Sequence, residues 1–330
     1  MPARIKGGPV VCQTTVTDNT PNPNLCAQPS LVNSLSVTAI AAIPTQQAYV
    51  TNWIGNSISL CDVSTLDGTL SNCTVTATSP FANPEAVALN PDKTLLYIAN
   101  INVASMPTAT VSYCQIDSNT GGLSNCAVTG AGFYGADGIS INATNTLAYV
   151  SNAGNHTVSV CAVDSISGAL STSCTSTGNG LHTPSDMTIN DLNTKAYVSN
   201  LTGSVSACDI DDTTGLLNCN DKTLGFNQPE GIILHPTGQF AYITNNGNNT
   251  VNVCRINPLT GHLKSCVVTN GDFDGFGNLA FNATGTRAYI PNLALNQVFV
   301  CSVNQNTGTL SRCRDSSGSG FNGPSGILLK

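Results

Sequence analysis

The sequence has little charge. Asp, Glu, Lys and Arg make up only 9% of its 330 residues, far below the usual quarter of a soluble protein. Its 11 basic residues are scattered along the chain, and the formal net charge is −7. Binding to nucleic acid requires a cluster of basic residues that neutralises phosphates, and an anionic membrane surface requires the same. The composition therefore excludes both kinds of partner.

Long apolar runs, helix-forming residues and aromatic residues are also scarce. The longest apolar run, at 37–43, contains Thr38 and falls far short of the roughly 20 residues that cross a bilayer. No membrane insertion is therefore expected. The first residues, MPARIKGG, carry no apolar stretch after their basic residues, so they give no sign of a signal peptide. The remaining residues are rich in Thr, Asn, Ser and Gly, which are typical of strands and turns.

One short segment recurs six times, at intervals of roughly 45 to 50 residues. A short apolar segment and a turn precede most copies, and two alternating segments with cysteine follow each one. Four short strands per unit, without a helical period, predict one blade of a β-propeller. A single sheet of this size cannot bury both faces, so the blades must pack on one another. The six copies are Ala48–Asn52 (AYVTN), Tyr97–Asn100 (YIAN), Ala148–Asn152 (AYVSN), Ala196–Asn200 (AYVSN), Ala241–Asn245 (AYITN) and Ala288–Asn292 (AYIPN).

The 14 cysteines form seven pairs, each with a turn at its centre. Residues that face each other across a hairpin are about 4.5–5.5 Å apart, close enough for a disulfide. We therefore predict one disulfide per blade, between its third and fourth strands, and seven blades in an all-β propeller. The pairs are Cys12–Cys26, Cys61–Cys73, Cys114–Cys126, Cys161–Cys174, Cys208–Cys219, Cys254–Cys266 and Cys301–Cys313.

Two other interpretations of the cysteines are weaker. Free thiols in a reducing cytosol do not explain why the pairs are placed symmetrically in every copy. A metal site is disfavoured because the chain has no C-x-x-C motif and its four histidines are scattered. We therefore expect no metal and no cofactor. Seven disulfides predict an oxidising location, which is extracellular, at the cell surface or periplasmic.

The whole chain, 1–330, is predicted to form a single propeller domain whose closing blade is split between 1–33 and 321–330. Gly323–Lys330 matches the innermost strand of the other copies, but only Ala3–Lys6 is available as the second strand. A missing strand leaves an unpaired edge, which pairs readily with another chain. Met1–Gly8 is therefore expected either to complete its own ring or to insert into a neighbour and propagate a filament.

The repeated segment, followed by hairpins of the form SVCDxxTGxLSxC, resembles the YVTN family of β-propeller repeats. The resemblance covers the chain from about Ser34 onward. It implies a surface-layer or extracytoplasmic protein of bacteria or archaea. The neighbouring lactonase-type propellers, which have seven blades, hydrolyse sugar lactones.

Alignment of the copies indicates which residues lie at the mouth of the central channel. Three of them are acidic, and Asp186 adjoins a fourth position. Acids at one mouth suit a cation or act as acid and base on a bound sugar or lactone, and the alternative is that they are solvated turn residues. The candidates for ligand or cation binding are Glu85, Asp137, Asp186 and Glu230. The aligned positions are Val37, Glu85, Asp137, Ser185, Glu230, Gly277 and Ser325.

No catalytic residue is predicted, because the histidines fall at unrelated repeat positions and no Ser-His-Asp arrangement can be argued. The sequence favours a non-catalytic extracellular or cell-surface propeller, a structural or interaction module with protein partners or self-association. The first alternative is a lactonase-type hydrolase with its site at the channel mouth. The second is a propeller that binds a small ligand or cation.

Overall fold

The computed structural model describes residues 46–270, Phe273 and 277–330. The described residues form six antiparallel sheets of four strands each, arranged as the blades of a propeller. One 3₁₀ turn, Met106–Thr108, interrupts the strands. No helix in the described part of the chain is long and apolar enough to cross a membrane.

The strands are numbered in chain order, and within each blade they are given from the innermost to the outermost. The first three blades consist of Pro324–Leu329 (β24), Gln46–Asn52 (β1), Ser57–Val63 (β2) and Leu70–Ala77 (β3); Pro84–Leu89 (β4), Leu95–Asn100 (β5), Thr110–Ile116 (β6) and Leu123–Thr129 (β7); and Ala136–Ile141 (β8), Leu147–Asn152 (β9), Thr157–Ala162 (β10) and Thr175–Thr177 (β11). The last three consist of Pro184–Ile189 (β12), Lys195–Asn200 (β13), Ser204–Ile210 (β14) and Leu217–Leu224 (β15); Pro229–Leu234 (β16), Phe240–Asn245 (β17), Thr250–Ile256 (β18) and Leu263–Asn270 (β19); and Ala280–Phe281 (β20), Arg287–Asn292 (β21), Gln297–Val303 (β22) and Leu310–Asp315 (β23).

The described residues form six blades, and the prediction of seven is wrong. The C-terminal strand β24 pairs with β1, with Leu329 opposite Ala48 and Ile327 opposite Val50. It thereby takes the innermost position of the first blade, which the alignment had given to the segment around Val37. The physical reason for the error is that β24 completes an existing blade and does not begin another. Residues 1–33 and the pair Cys12–Cys26 lie outside the described residues.

The closing blade therefore contains all four of its strands. The sequence had suggested a gap at its second strand, and the idea that Met1–Gly8 fills this gap, in its own ring or a neighbour's, followed from that. In the ring formed by the described residues, β1 occupies that position. Among the described residues, no strand position at this seam is left open for an exchange.

The tyrosine of the repeated strand ties its blade to the next one in four blades. Tyr97 Oη donates a 2.7 Å hydrogen bond to the carbonyl oxygen of Gly168, at the tip of the outer hairpin of the following blade. Gly168 has a φ of +75°, and a Cβ there would lie 3.0 Å from Tyr97 Oη, so this close approach suits glycine. The same bond joins Tyr49 to Gly121, Tyr197 to Gly261 and Tyr242 to Gly308.

The sixth blade contacts the first at the same outer hairpin, but through a different side chain. Tyr289 Oη lies 2.9 Å from the position of a Cβ on Gly68, in the outer hairpin of the first blade. The Arg287 guanidinium also donates to the carbonyl oxygens of Leu66 and Asp67 in that hairpin, at 2.7 and 2.6 Å. Tyr289 Oη has no hydrogen-bond partner among the described residues, so Arg287 makes the bonds that join the sixth blade to the first and close the ring.

The hydrophobic core lies between the blades. The repeated tyrosines are among the largest fully buried side chains. Each apolar cluster draws on two adjacent blades: Tyr197 and Val205 of the fourth blade, for example, pack with Ile232 and Ile243 of the fifth. The repetition in the sequence thus reflects a core that each blade shares with its neighbours.

Six of the seven predicted disulfides are present, one in each described blade, with Cα atoms 4.0 to 4.4 Å apart. The strand register shifts at most of these bridges, which marks a β-bulge. In four blades the residue before the second cysteine lies in this bulge and has a positive φ of +50° or +51°. These residues are Asn72, Asn125, Ser265 and Arg312.

Candidate active site at the inner end of the central channel

A cavity of about 380 Å³ runs along the axis of the ring. Its wall is formed by the second halves of the innermost strands, for example Val87–Leu89 and Ile139–Ile141. Side chains at the carboxyl ends of these strands, such as Leu89 and Ile189, are partly exposed, whereas those at the amino ends are mostly buried. The cavity therefore opens at the carboxyl ends and is closed toward the amino ends.

The four acids singled out from the sequence lie together at that closed end, and we call them the acidic cluster: Glu85, Asp137, Asp186 and Glu230. Glu85, Asp137 and Asp186 are only 8%, 6% and 5% exposed, so these three are not solvated turn residues at an open mouth. Asp186 lines the cavity together with Asn278. The other aligned positions carry no ionisable group, since they are Ser185, Gly277 and Ser325.

Asp186 is held by groups from two other blades. Its Oδ2 accepts a 2.8 Å hydrogen bond from the backbone N–H of Ile232, and the side chain of Asn278 is a further hydrogen-bond partner. Its own N–H donates to Ser199 Oγ at 3.0 Å. The carboxylate is therefore fixed by adjacent inner strands at the point where the channel ends.

Glu85 reaches across the channel toward the sixth blade. A Cβ built on Gly277 would lie 2.7 Å from Glu85 Oε1 and 2.5 Å from the carbonyl oxygen of Ser325. Any side chain at 277 would therefore displace this carboxyl group. The repeat position that carries acids in three other blades is glycine here, and its open space receives Glu85.

A row of hydroxyl groups spaces the inner strands, and sequence reasoning missed it. Thr244 Oγ1 accepts the N–H of Gly231 in its own blade, at 2.7 Å, and donates to the carbonyl oxygen of Gly277 in the next, at 2.9 Å. The signal was present, because the residue before the last Asn of the repeated strand is Ser or Thr in four of six copies. Its members are Thr51, Ser151, Ser199 and Thr244.

The asparagine that ends each repeated strand has a structural role. Asn52 Oδ1 accepts the N–H of Asn322, at 3.1 Å, and its Nδ2 donates to Ser59 Oγ at 2.9 Å. His235 is likewise structural, since its ring nitrogens lie 2.8 Å from Thr237 Oγ1 and 2.9 Å from the carbonyl oxygen of Gly285.

Burial and mutual repulsion shift the acidic cluster toward its protonated form. Burial raises the pKa of Glu85 and Asp137 well above their usual values, and neighbouring carboxylates add to the effect. Burial also raises the pKa of Asp186 to about 7, although hydrogen bonds from Ile232, Met187 and Asn278 oppose the shift. The pKa of Glu230 is raised to about 7, mainly by burial, with Asn246 opposing it and Asp186 adding to it.

This arrangement places two kinds of carboxyl group side by side. The raised pKa values favour the protonated form of Glu85 and Asp137, which can donate a hydrogen bond, whereas the pKa values of Asp186 and Glu230 lie at about 7. A pair of carboxyls whose pKa values are pushed apart is the usual basis of acid–base catalysis. Glu230 Oε2 is buried and has no hydrogen-bond partner among the described residues. Within the same residues, no three His, Cys, Asp or Glu side chains are grouped so as to hold a metal ion.

No protein-family model matches the chain, and no curated protein matches it. The resemblance to the YVTN family is therefore not supported beyond the propeller fold. Many solved structures share that fold. A structure described as a putative 6-phosphogluconolactonase of Bacteroides fragilis has 16% identity and a TM-score of 0.63, covering 90% of this chain and 100% of its own. The periplasmic gluconolactonase PpgL of Pseudomonas aeruginosa has 14% identity and a TM-score of 0.63, covering 86% and 98%.

A third similar structure comes from a nidogen/laminin complex, with 10% identity, a TM-score of 0.63 and coverage of 86% of this chain and 98% of that one. At these identities the likeness concerns the fold alone. A propeller fold is compatible with unrelated activities, so function has to be argued from the site.

Proposed function

We propose that the protein is an extracytoplasmic hydrolase that opens cyclic esters (lactones) where the acidic cluster meets the central channel. One observation carries this proposal. Asp186, whose pKa is raised to about 7, lines the cavity and lies beside Glu85 and Asp137, whose burial favours their protonated form. A base that titrates near the working pH is well suited to proton transfer.

In the proposed reaction, water attacks the acyl carbon of the lactone while Asp186 takes a proton from it. The carbonyl oxygen gains negative charge, and the side-chain amide of Asn278, which lines the cavity with Asp186, donates a hydrogen bond to it. The bond between the acyl carbon and the ring oxygen then breaks, and the ring oxygen takes the proton from Asp186. One lactone and one water give one hydroxy acid, with no cofactor.

Two further observations support the proposal. Structures with the same fold are described as a putative 6-phosphogluconolactonase and as a periplasmic gluconolactonase. The six disulfides suit an oxidising extracellular or periplasmic compartment. This hydrolase function takes the place of the non-catalytic module that the sequence favoured.

The test is a titration of the acid that lactone opening releases, with the oxidised protein and δ-valerolactone as the first probe. We expect kcat/KM to rise with pH through about 7. Asp186→Asn should lower it roughly 100-fold or more. Asp191→Asn is the matched control, because Asp191 is exposed in the turn that follows the same inner strand. Turnover that is undetectable above the uncatalysed rate across a panel of lactones, or an Asp186→Asn variant as active as the control, contradicts the proposal.

A specific surface feature favours self-association as a second candidate function. The outer hairpin tips of the first, third and fifth blades expose Leu66, Ile166 and Leu259 at 82%, 95% and 93%. We propose that these tips contact a second copy of the chain. Replacing all three by serine should abolish any rise of mass with concentration in sedimentation equilibrium. A wild-type protein that stays monomeric at every concentration contradicts this second candidate.

A further inference from the structure

We propose that His156 is a positioning residue for Asp186 and that its contact with the fourth blade breaks when the imidazole takes up a proton. The contact is a feature of the fold and does not depend on the proposed hydrolase function. Its consequence for catalysis rests on that function. Mild acid would thus loosen the segment that leads to Asp186 while the propeller stays folded.

The contact joins the third blade to the fourth. His156 ends the loop between β9 and β10, and its Nδ1 accepts a 2.8 Å hydrogen bond from the backbone N–H of Thr183. Thr183 immediately precedes β12, the inner strand that carries Asp186. A backbone N–H can only donate, so Nδ1 keeps its lone pair and the proton of the neutral ring is on Nε2. A second proton on the ring would occupy Nδ1 and remove the acceptor.

Asp186 lies in an interruption of its own strand ladder. The pairing of β12 with β13 shifts in register between Pro184 and Met187, which marks a β-bulge at Asp186. Thr183, in front of the bulge, has a φ of +52°, a conformation that is costly for a β-branched residue. The side-chain bonds of Asp186 hold its carboxylate, whereas the bond to His156 holds the strained chain before it. Loss of that bond would let Thr183 relax and shift the start of the bulge.

Two other blades make the same contact with a residue that does not take up a proton. The residue directly before the third strand is Asn56 in the first blade and Asn296 in the sixth. Their Oδ1 atoms accept the N–H groups of Asn83 and Gly323, at 2.6 and 2.7 Å, in front of the next inner strand. Both asparagines have a positive φ, as His156 does. An asparagine would therefore serve the fold here as well, and the imidazole adds a change of charge in mild acid.

His182 is the titratable side chain that the structure places against this ring, with the two ring centroids 6.5 Å apart. Both histidines are exposed, and within the described residues neither forms an ion pair. The neighbouring side chains of the two loops, Asn155, Thr157 and Thr183, are uncharged. Histidine changes its charge between about pH 8 and pH 5. The contact is therefore made at neutral pH and lost in mild acid, where two charged rings would also repel each other.

NMR spectroscopy of the isotope-labelled protein tests the contact without a substrate. The protection of the Thr183 amide against hydrogen exchange should fall about fivefold from pH 7.5 to pH 5, the ratio expected for one lost neutral hydrogen bond. His156→Asn supplies the acceptor that the first and sixth blades use and should keep the protection at both pH values. His156→Gly takes the positive φ without an acceptor, as Gly203 does before the third strand of the fourth blade, and should lack the protection at both.

A kinetic measurement links the contact to Asp186. From pH 7.5 to pH 5 the wild type should lose about fivefold more of its kcat/KM for δ-valerolactone than His156→Asn does. Protonation of Asp186 lowers the rate in both proteins, but only the wild type also loses the contact. His182→Asn is the matched control, because it removes the neighbouring imidazole and leaves the bond to Thr183 in place. It should follow the wild type in both measurements.

The outcomes separate this inference from the proposed function. Protection of Thr183 that depends on pH in the wild type but not in His156→Asn, without turnover of any lactone, supports the contact and contradicts the hydrolase. Equal protection at both pH values in the wild type overturns the inference, whatever the rate of hydrolysis. An active His156→Asn variant whose kcat/KM falls as steeply as that of the wild type overturns the positioning role. Circular dichroism checks that the variants are folded, and the wild-type exchange data decide the contact if one of them is not.

Discussion

The hydroxyl group of Tyr49 donates a 2.7 Å hydrogen bond to the carbonyl oxygen of Gly121, which lies 72 positions further along the chain. The bond crosses from the first blade to the outer hairpin of the second. Tyr97, Tyr197 and Tyr242 repeat it in their own blades. The repeated tyrosine thus joins neighbouring sheets and does more than fill the core.

Removal of one of these hydroxyl groups should destabilise the propeller. Tyr97→Phe keeps the buried ring but leaves the carbonyl oxygen of Gly168 without its donor, so the free energy of unfolding should fall by about 1–3 kcal/mol. Urea denaturation measures the change. Tyr289→Phe is the matched control, because Tyr289 Oη is buried without a partner among the described residues, and it should have little effect. Equal losses in both variants would show that the inter-blade bond is not the cause.

The acidic cluster should make the folded protein more stable at mildly acidic than at alkaline pH. Asp186 and Glu230 have a pKa of about 7 when folded, against 3.8 and 4.5 in a model peptide. Their protonation therefore stabilises the fold fully below about pH 4, and this contribution is lost as the pH rises through 7. We expect the free energy of unfolding to fall between pH 5 and pH 8 by an amount on the order of a few kcal/mol.

Asp186→Asn isolates this effect, since the amide cannot titrate. The variant should show a smaller loss of stability from pH 5 to pH 8 than the wild type, whereas Asp191→Asn should follow the wild-type curve. Urea melts at both pH values provide the measurement. A wild-type stability that rises toward pH 8 would contradict the shifted pKa values.

Below pH 4, the loss of folding stability should come mainly from the outer hairpins. Asp67, Asp117, Asp164 and Asp211 accept hydrogen bonds from their own turns, which lowers the pKa of each carboxyl, to about 2 for Asp67. Such groups stabilise the fold above the unfolded pKa, and this stabilisation is lost as the pH falls toward 2. At the repeat position of Asp117, Asp164 and Asp211 the sixth blade carries Asn304, whose Oδ1 accepts the same kind of turn N–H groups. Asp67 lies three positions further along its own hairpin and accepts from Thr69.

Replacement of all four aspartates by asparagine should therefore leave the hairpins folded and reduce the loss of stability below pH 4. Thermal unfolding at pH 2, 3 and 4 should show a smaller decrease in Tm for the fourfold variant than for the wild type. A variant that loses as much stability over this range as the wild type would exclude these turns as the source of acid sensitivity.

Cys12 and Cys26 should be joined by a disulfide, as in the six described hairpins. They lie 14 positions apart around a turn-rich segment, close to the 11 to 13 of the observed bridges. Mass spectrometry of peptides from the non-reduced protein should find this cross-link. A free thiol at either position, or a link from Cys12 to any other cysteine, would disprove the pairing.

Local features of this fold could be predicted from the sequence, but its closure could not. The hairpin disulfides and the strands around Tyr49 depend on residues that are near one another in the chain. The number of blades depends on which strand pairs with Gln46–Asn52, and its partner Pro324–Leu329 lies at the far end of the chain. The seven cysteine pairs predicted seven blades, but they carry no information about this long-range pairing.

The acidic cluster was predictable in its membership but not in its environment. Glu85, Asp137 and Glu230 occupy the same repeat position, so alignment places them at one end of the ring. Their burial depends on how closely six inner strands approach the axis, and on the space that Gly277 leaves for Glu85. Neither quantity can be read from one copy of the repeat.

The pairing of β24 with β1 sets an order of events during synthesis. The cysteines of each described bridge are 11 to 13 residues apart, so every hairpin is complete soon after it emerges. The first blade, in contrast, lacks its innermost strand until Pro324–Leu329 has been made. Until then the inner edge of β1 is an unpaired strand that can recruit other chains. A polypeptide that ends before Pro324 would form oxidised hairpins, but its ring could not close.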